Sequence, residues 1–185
     1  MSATVTLRVG PYGLRGAEDA PFAPEAFLAR PLVARLATQP LVIQPVWYLW
    51  EDSEFWVITG SWSTLTRRLR ADPAFSLVVD ECDLETGRTR QVIARGTGAV
   101  VTGGPDRARR KLTRYLGPDE TAWDPRFRPG PDLRWARLTP TTLRVADLSF
   151  QVPAPASPPS PGRPYDLEGG PHVLAHSTAP DLGGA

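Results

Sequence analysis

Histidine is missing from the first 171 residues of this 185-residue chain, whose two histidines are His172 and His176. The body of the protein therefore has no imidazole for acid–base work, for a metal site or for haem ligation. Cysteine occurs once, at Cys82, which excludes an intrachain disulfide and makes a reducing compartment the expectation. Lysine is as scarce: Lys111 is one of 21 basic residues, and the rest are arginine. A mechanism that needs a lysine amine, such as a Schiff base, has one candidate. No run approaches about 18 apolar residues, so no transmembrane helix is expected. The opening residues, MSATVTLRVGPYGLRG, lack the apolar core of a signal peptide. A net charge of +1 gives no sign of nucleic-acid binding. The expectation is a cytoplasmic protein with neither membrane nor nucleic acid as a partner.

What is present is enough for one domain: 41% of the residues are hydrophobic. Residues 1–23 carry glycine and proline without a period and read as an irregular leader. The spacing predicts a helix over Pro24–Arg30, opened and closed by prolines. Strands follow at Val33–Gln39, Leu41–Trp50 and Phe55–Thr59. The second is almost wholly apolar, which predicts burial on both faces. A helix is predicted from about Ser63 to Ala71, stopped by Asp72-Pro73. Two strands, Phe75–Cys82 and Arg90–Thr102, form a hairpin around Gly87, with Gly96 and Gly98 marking a bulge or a close approach. A helix spans Pro105–Leu116, a loop spans 118–133, and a last hairpin joins Trp135–Leu138 to Leu143–Phe150 around Thr139-Pro140-Thr141-Thr142. The domain thus covers 24–151, and 152–185 is a Pro/Gly-rich tail expected to be flexible.

One stretch raises a chemical question. In 59-TGSWSTLTRRLRADP-73, Thr59, Ser61, Ser63, Thr64 and Thr66 gather where a strand gives way to a helix, with Arg67 and Arg68 just beyond. Hydroxyls and free N–H groups at a helix start suit an anion, and Ser or Thr there equally suits an ordinary N-cap. Both readings are open at this point.

The order of elements, with the words 33-VARLAT-38, 45-PVWYLW-50, 67-RRLRADP-73, 75-FSLVVD-80, 94-ARGTGAVV-101 and 137-RLTPTTLRVADLS-149, resembles the FMN-binding split β-barrel family. That family contains pyridoxamine 5′-phosphate oxidase-like proteins and their deazaflavin (F420) relatives. The resemblance covers roughly residues 25–150. It implies a mainly β protein with flanking helices, a six-stranded split β-barrel, and a homodimer with flavin-type cofactors in clefts between subunits. It also implies a cofactor phosphate held between the third strand and the short helix. The family pattern there is Thr, four residues, then Ser-Arg-Lys. Thr59 and Ser63 match; Thr64 and Leu65 stand where the Arg and Lys would be. Losing two charge-assisted bonds to a phosphate costs about 10²-fold in affinity or more. Arg67 and Arg68 are the available substitutes. A second departure is the first hairpin, where Thr38-Gln39-Pro40-Leu41 leaves almost no room for a turn.

Other features read as structure first. Asp80-Glu81-Cys82-Asp83 has the look of a turn rather than a metal site. The basic helix residues Arg107, Arg109, Arg110, Lys111 and Arg114 read as a solvated face. Aromatics concentrate around the implied cleft, at Trp47, Tyr48, Trp50, Phe55, Trp56 and Trp62. Of these Trp62, within the hydroxyl-rich stretch, is the one least expected from packing alone. The candidate cofactor residues are Val46, Trp47, Thr59, Ser61, Trp62, Ser63, Thr64, Arg67 and Arg68; Tyr48 is the candidate proton donor, and no metal is expected. The resemblance implies an oxidoreductase using FMN or F420 on a small organic molecule. The alternative is a cofactor-free barrel that binds or cyclises an apolar metabolite.

Overall fold

The chain from Val42 to Glu51 belongs to both ends of one sheet. In the computed structural model, which describes residues 6–9, 20–128 and 130–152, β2 (Val33–Thr38) pairs antiparallel with β3 (Val42–Trp47). After Tyr48 the same segment continues as β4 (Leu49–Glu51), now paired with β5 (Glu54–Thr59). With β6 (Ala74–Asp83), β7 (Arg88–Val101) and β8 (Arg134–Asp147), the order is β3-β2-β6-β7-β8-β5-β4, every neighbour antiparallel. A short β1 (Thr6–Val9) lies parallel to β8. The sheet curls because one segment supplies both of its ends.

Three helices close the curl. α1 (Pro24–Leu28) starts on a proline and buries Phe27 and Leu28. α2 (Thr64–Ala71) is capped by Ser63, whose side chain accepts from Leu65 N–H at 3.2 Å. It buries Leu65 and Leu69, four residues apart on one face, and ends where Pro73 forces Asp72 into extended backbone. α3 (Pro105–Leu116) begins on a proline and stops at Gly117, whose φ of 88° suits glycine. Inside the barrel, alternate residues of β2, β6, β7 and β8 (Leu36, Leu77, Val92, Val145 and their neighbours) meet Tyr48, Phe55 and the α2 leucines. β5 is buried on both faces: Phe55 and Val57 face this core, while Trp56 packs outward with Ala108 of α3 and Trp135.

Several expectations need correction. Leu41–Trp50 is not one strand buried on both faces: it changes partner at Tyr48, and Leu41 and Ile43 are 90% and 74% exposed. The expected last hairpin is a single strand, β8. Its Thr139–Thr142 segment is a bulge, because Arg95 pairs with Thr142 and Gly96 with Pro140, leaving Thr141 extra. Pro140, which cannot donate to a ladder, is tolerated at such a point, and a side chain at Gly96 would lie 2.1 Å from the Thr139 carbonyl oxygen. Counted by paired segments, the described residues hold eight strands in the sheet, with 41–50 divided into β3 and β4 and β1 added. The leader expected to be irregular contributes β1. The first hairpin is short, with Gln39-Pro40-Leu41 between paired Thr38 and Val42. One unit of the chain ends at Val152, and the expected tail beyond it, with His172 and His176, lies outside the described residues.

The partner change at Tyr48 leaves its backbone without a strand neighbour. The Tyr115 hydroxyl from α3 serves it, accepting from Tyr48 N–H at 3.2 Å and lying 3.0 Å from Tyr48 O and 2.8 Å from Leu32 O. A buried backbone group stripped of its partner costs about 1–3 kcal/mol. Tyr115→Phe keeps the ring and removes this hydroxyl, and is expected to lower unfolding free energy by about that amount. Urea denaturation of the two proteins measures the difference.

Candidate functional site

Between β3, β5, α3 and the segment 126–133 lies a cavity of about 700 Å³. β3 contributes Val46 and Trp47, β5 Val57 and Ile58, α3 Lys111 and Leu112, and the covering segment Phe127, Arg128, Asp132 and Leu133. Trp62, from the turn between β5 and α2, stands at its edge and is 69% exposed. The covering segment folds over through two 3-10 turns, Glu120–Ala122 and Pro125–Phe127, each started by an aspartate cap. Trp123 anchors it by donating to Gly117 O at 3.0 Å.

The structure brings Val46, Trp47 and Trp62 to this cavity and assigns the other candidates elsewhere. Trp47 stacks on Tyr115 and on Phe127, with centroids 4.8 and 5.3 Å away, so its ring already has two intramolecular partners. Thr59 is buried and sits 3.0 Å from the Thr66 hydroxyl, which itself donates to Gly60 O at 2.9 Å. Ser63 caps α2. Thr64 and Arg67 are exposed, and Arg68 donates to Gln44 at 3.3 Å. Leu65 is buried in the core. Tyr48 does not reach the cavity. It is fully buried, edge-on to Phe55 at 5.4 Å, and burial pushes its phenol far above the usual range, with Tyr115 adding to the effect. A proton donor for cavity chemistry is not found there.

Ser61 is the informative position. Its backbone N–H donates to Asp132 Oδ2 at 2.9 Å, and its hydroxyl bonds the same oxygen. Those two bonds hold the Asp132 carboxyl below its ordinary pKa. The stretch that looked suited to an external anion thus already receives one from the chain itself. The basic residues of α3 are likewise engaged: Arg107 and Arg110 both bond Glu51, Arg109 bonds Glu120, and Arg114 bonds the carbonyls of Leu28 and Arg30. Asp80 and Glu81 pair with Arg35 and Arg30, and Asp83 accepts from Glu85 N–H and Thr86 N–H. Among the described residues no cluster of His, Cys, Asp and Glu could hold a metal.

Sequence reasoning missed Phe127, Asp132 and the placement of Lys111. The first two lie in a stretch whose composition says only loop, and Asp132 meets Ser61 across 71 residues. Lys111 was conspicuous as the one lysine, but its helix looked like a solvated face. It is instead 4% exposed and lines the cavity.

Neither family models nor curated proteins match this chain. Solved structures do. A conserved hypothetical protein from Mycobacterium tuberculosis is 22% identical, with 73% of this chain and 86% of that one covered and a TM-score of 0.54. A flavocytochrome from Azotobacter vinelandii is 13% identical over 76% of this chain and 82% of that one, with a TM-score of 0.50. An F420 reductase is 24% identical over 64% and 94%, with a TM-score of 0.48. The chain has the split β-barrel fold. Among the described residues no helix is long and apolar enough to cross a membrane.

Burial lowers the pKa of Lys111 to about 7. An unfolded lysine keeps its proton to about pH 10.4, so between pH 7 and 10 the unfolded state holds more protons and stability rises with pH. The rise over that interval is on the order of 4 kcal/mol. Near pH 10 it stops, since unfolded tyrosines ionise there while buried Tyr48 and Tyr115 resist. Lys111→Met is expected to flatten this slope and to be the more stable protein at pH 7. Urea midpoints at pH 7, 8, 9 and 10 check it; an unchanged slope in Lys111→Met would assign the effect to another group.

Proposed function

We propose that the cavity binds the planar ring of a flavin or deazaflavin, and that the protein is an oxidoreductase acting on a small organic molecule beside it. The observation that carries this reading is the cavity of about 700 Å³, edged by Trp62 and walled by Trp47 and Phe127, in a split β-barrel. Its size is that of a cofactor site, and the exposed face of Trp62 suits stacking. A flavocytochrome among the structural neighbours adds support. Such a ring supplies the hydride chemistry, while this chain supplies orientation and exclusion of water.

The residues fit a ring better than a phosphate. At the turn before α2, Thr64 and Leu65 offer no cation, Leu65 is buried, and Asp132 takes the donors of Ser61; the guanidiniums at the cavity lie instead on the covering segment, Arg126 paired with Asp124, and Arg128. Phosphate contacts to cations are worth about 10²-fold or more where they exist. The expected outcome is that riboflavin and FMN bind with affinities within about threefold of one another, since ~0.6 kcal/mol is all that separates them without such contacts. An absorbance spectrum from 300 to 500 nm, followed by titration with riboflavin, FMN and F420, reads this. A strong preference for FMN overturns the assignment of Asp132; binding of none of the three removes the cofactor reading. The alternative then stands: a cofactor-free barrel that binds or cyclises an apolar metabolite, a reading favoured by the same Asp132–Ser61 contact.

The second part of the proposal is a homodimer. The outward face of β2 and β3 carries Ile43, 74% exposed, beside Ala37, with Val33 at the far end of the same face and Leu41 in the adjoining turn. A second copy covering this face would bury apolar surface worth about 25 cal/mol per Å². Ile43→Glu is expected to shift the protein to monomer in analytical ultracentrifugation at micromolar concentration; a wild-type protein already monomeric there would exclude this interface.

A further inference from the structure

Lys111 is the chain's one lysine, and it stands where a lysine is least at home. α3 buries Ala108, Lys111 and Leu112 on its inner face, and Lys111 is 4% exposed. A structural lysine spreads its stem over apolar surface and leaves its ammonium in water, or meets a carboxylate. Lys111 has no such carboxylate: among the described residues its Nζ has no hydrogen-bond or ion-pair partner, and the 4% exposed side chain lies on the wall of the cavity. The charged groups around it are committed to others. On α3, Arg107 and Arg110 hold Glu51, and Arg114 holds the carbonyls of Leu28 and Arg30. On the covering segment, Arg126 pairs with Asp124 and Asp132 is held by Ser61, while Arg128 brings a like charge. β3 and β5 bring only apolar side chains, Pro45, Val46, Trp47, Val57 and Ile58. Asp132 is the one carboxylate among the lining residues and is taken up by Ser61, so no wall gives Lys111 a hydrogen-bond or ion-pair partner among the described residues.

We propose that Lys111 is a nucleophilic amine that captures a small aldehyde or ketone with an apolar or aromatic body, as an imine within the cavity. The lone pair of Nζ attacks the carbonyl carbon, the C=O π pair moves to oxygen, and a proton passes from nitrogen to that oxygen to give a carbinolamine. Loss of one water, formed from the hydroxyl and the remaining N–H, leaves the C=N bond. No electrons are exchanged with a third party. A neutral amine and a neutral imine are the forms that an apolar site tolerates, and the depressed pKa agrees with this. Phe127 and Trp62 offer the carbonyl compound's body a surface to lie against. The inference concerns the amine and does not depend on whether a flavin-type ring is held.

The composition makes the test sharp, because the chain has two amines only, Lys111 and the terminal α-amine. The full-length protein is incubated at pH 7 with benzaldehyde and cyanoborohydride, which reduces any imine to a stable secondary amine, and the adduct is located by peptide mass mapping. The expected result is an adduct on Lys111 that saturates with benzaldehyde concentration. At low aldehyde it should form about tenfold faster than on the α-amine, the advantage of a binding site beside the nucleophile. Lys111→Met should retain only the α-amine adduct. Labelling confined to the α-amine, or labelling of Lys111 that rises without saturation, overturns the proposal. The wild-type map decides this even should Lys111→Met fold poorly, and benzyl alcohol, which has the same body and no carbonyl, should slow the Lys111 adduct by competition.

Discussion

The barrel depends on one point of the chain, Tyr48, where a strand leaves one neighbour for another. Buried backbone must have its hydrogen bonds met, and at a change of partner the ladder cannot meet them. Here a single hydroxyl does, Tyr115 on α3. The same residue stacks on Trp47, which walls the cavity, so the seam of the barrel and the floor of the site share a support. α3 is tied down at its other end by Glu51, which takes both Arg107 and Arg110 immediately before the tight turn at Asp52-Ser53. The helix is thereby fixed to both sides of the segment that closes the sheet.

From this placement follows the position of Lys111. α3 lies with its apolar face against β5 and β8, through Ala108, Trp56 and Trp135, and Lys111, three residues after Ala108, turns inward on that face. The basic residues on the remaining faces are all paired, so the helix that looks cationic in sequence presents little free charge. The amine of Lys111, without a partner among the described residues, lines the cavity. The Asp132–Ser61 contact works in the opposite sense: it places a negative charge at the turn where the hydroxyl cluster lies.

Much of the fold was legible because it is punctuated. α3 runs between Pro105 and Gly117, and α2 between Ser63 and Pro73, residues whose backbone preferences set those bounds. Elsewhere, local chemistry misled. Thr139-Pro140-Thr141-Thr142 has the composition of a turn, yet forms a bulge because Gly96, in a strand more than forty residues earlier, leaves room for it. The apolar run 41–50 promised burial on two faces; part of it is seam and part is exposed surface. Of the residues that line the cavity, Val46, Trp47 and Trp62 could be picked out as candidates in the sequence. Asp132 and Phe127 could not, because a contact between a loop and a distant turn leaves no periodic trace in either. Ser63, Thr59 and Thr66 proved to be a cap and a buried pair, as the simpler reading of the hydroxyls allowed.

The six tryptophans divide by environment in a way that has a use of its own. Trp50, Trp56, Trp123 and Trp135 are buried, Trp47 is half-buried in its stack, and Trp62 alone stands mostly in water, at the rim of the cavity. Emission from the buried indoles reports whether the barrel is folded, and lies toward the blue. The red edge of the spectrum belongs to Trp62. A molecule that seats itself in the cavity covers that ring and dims or shifts the red edge while leaving the blue side in place, so the protein carries a native optical gauge of its own occupancy.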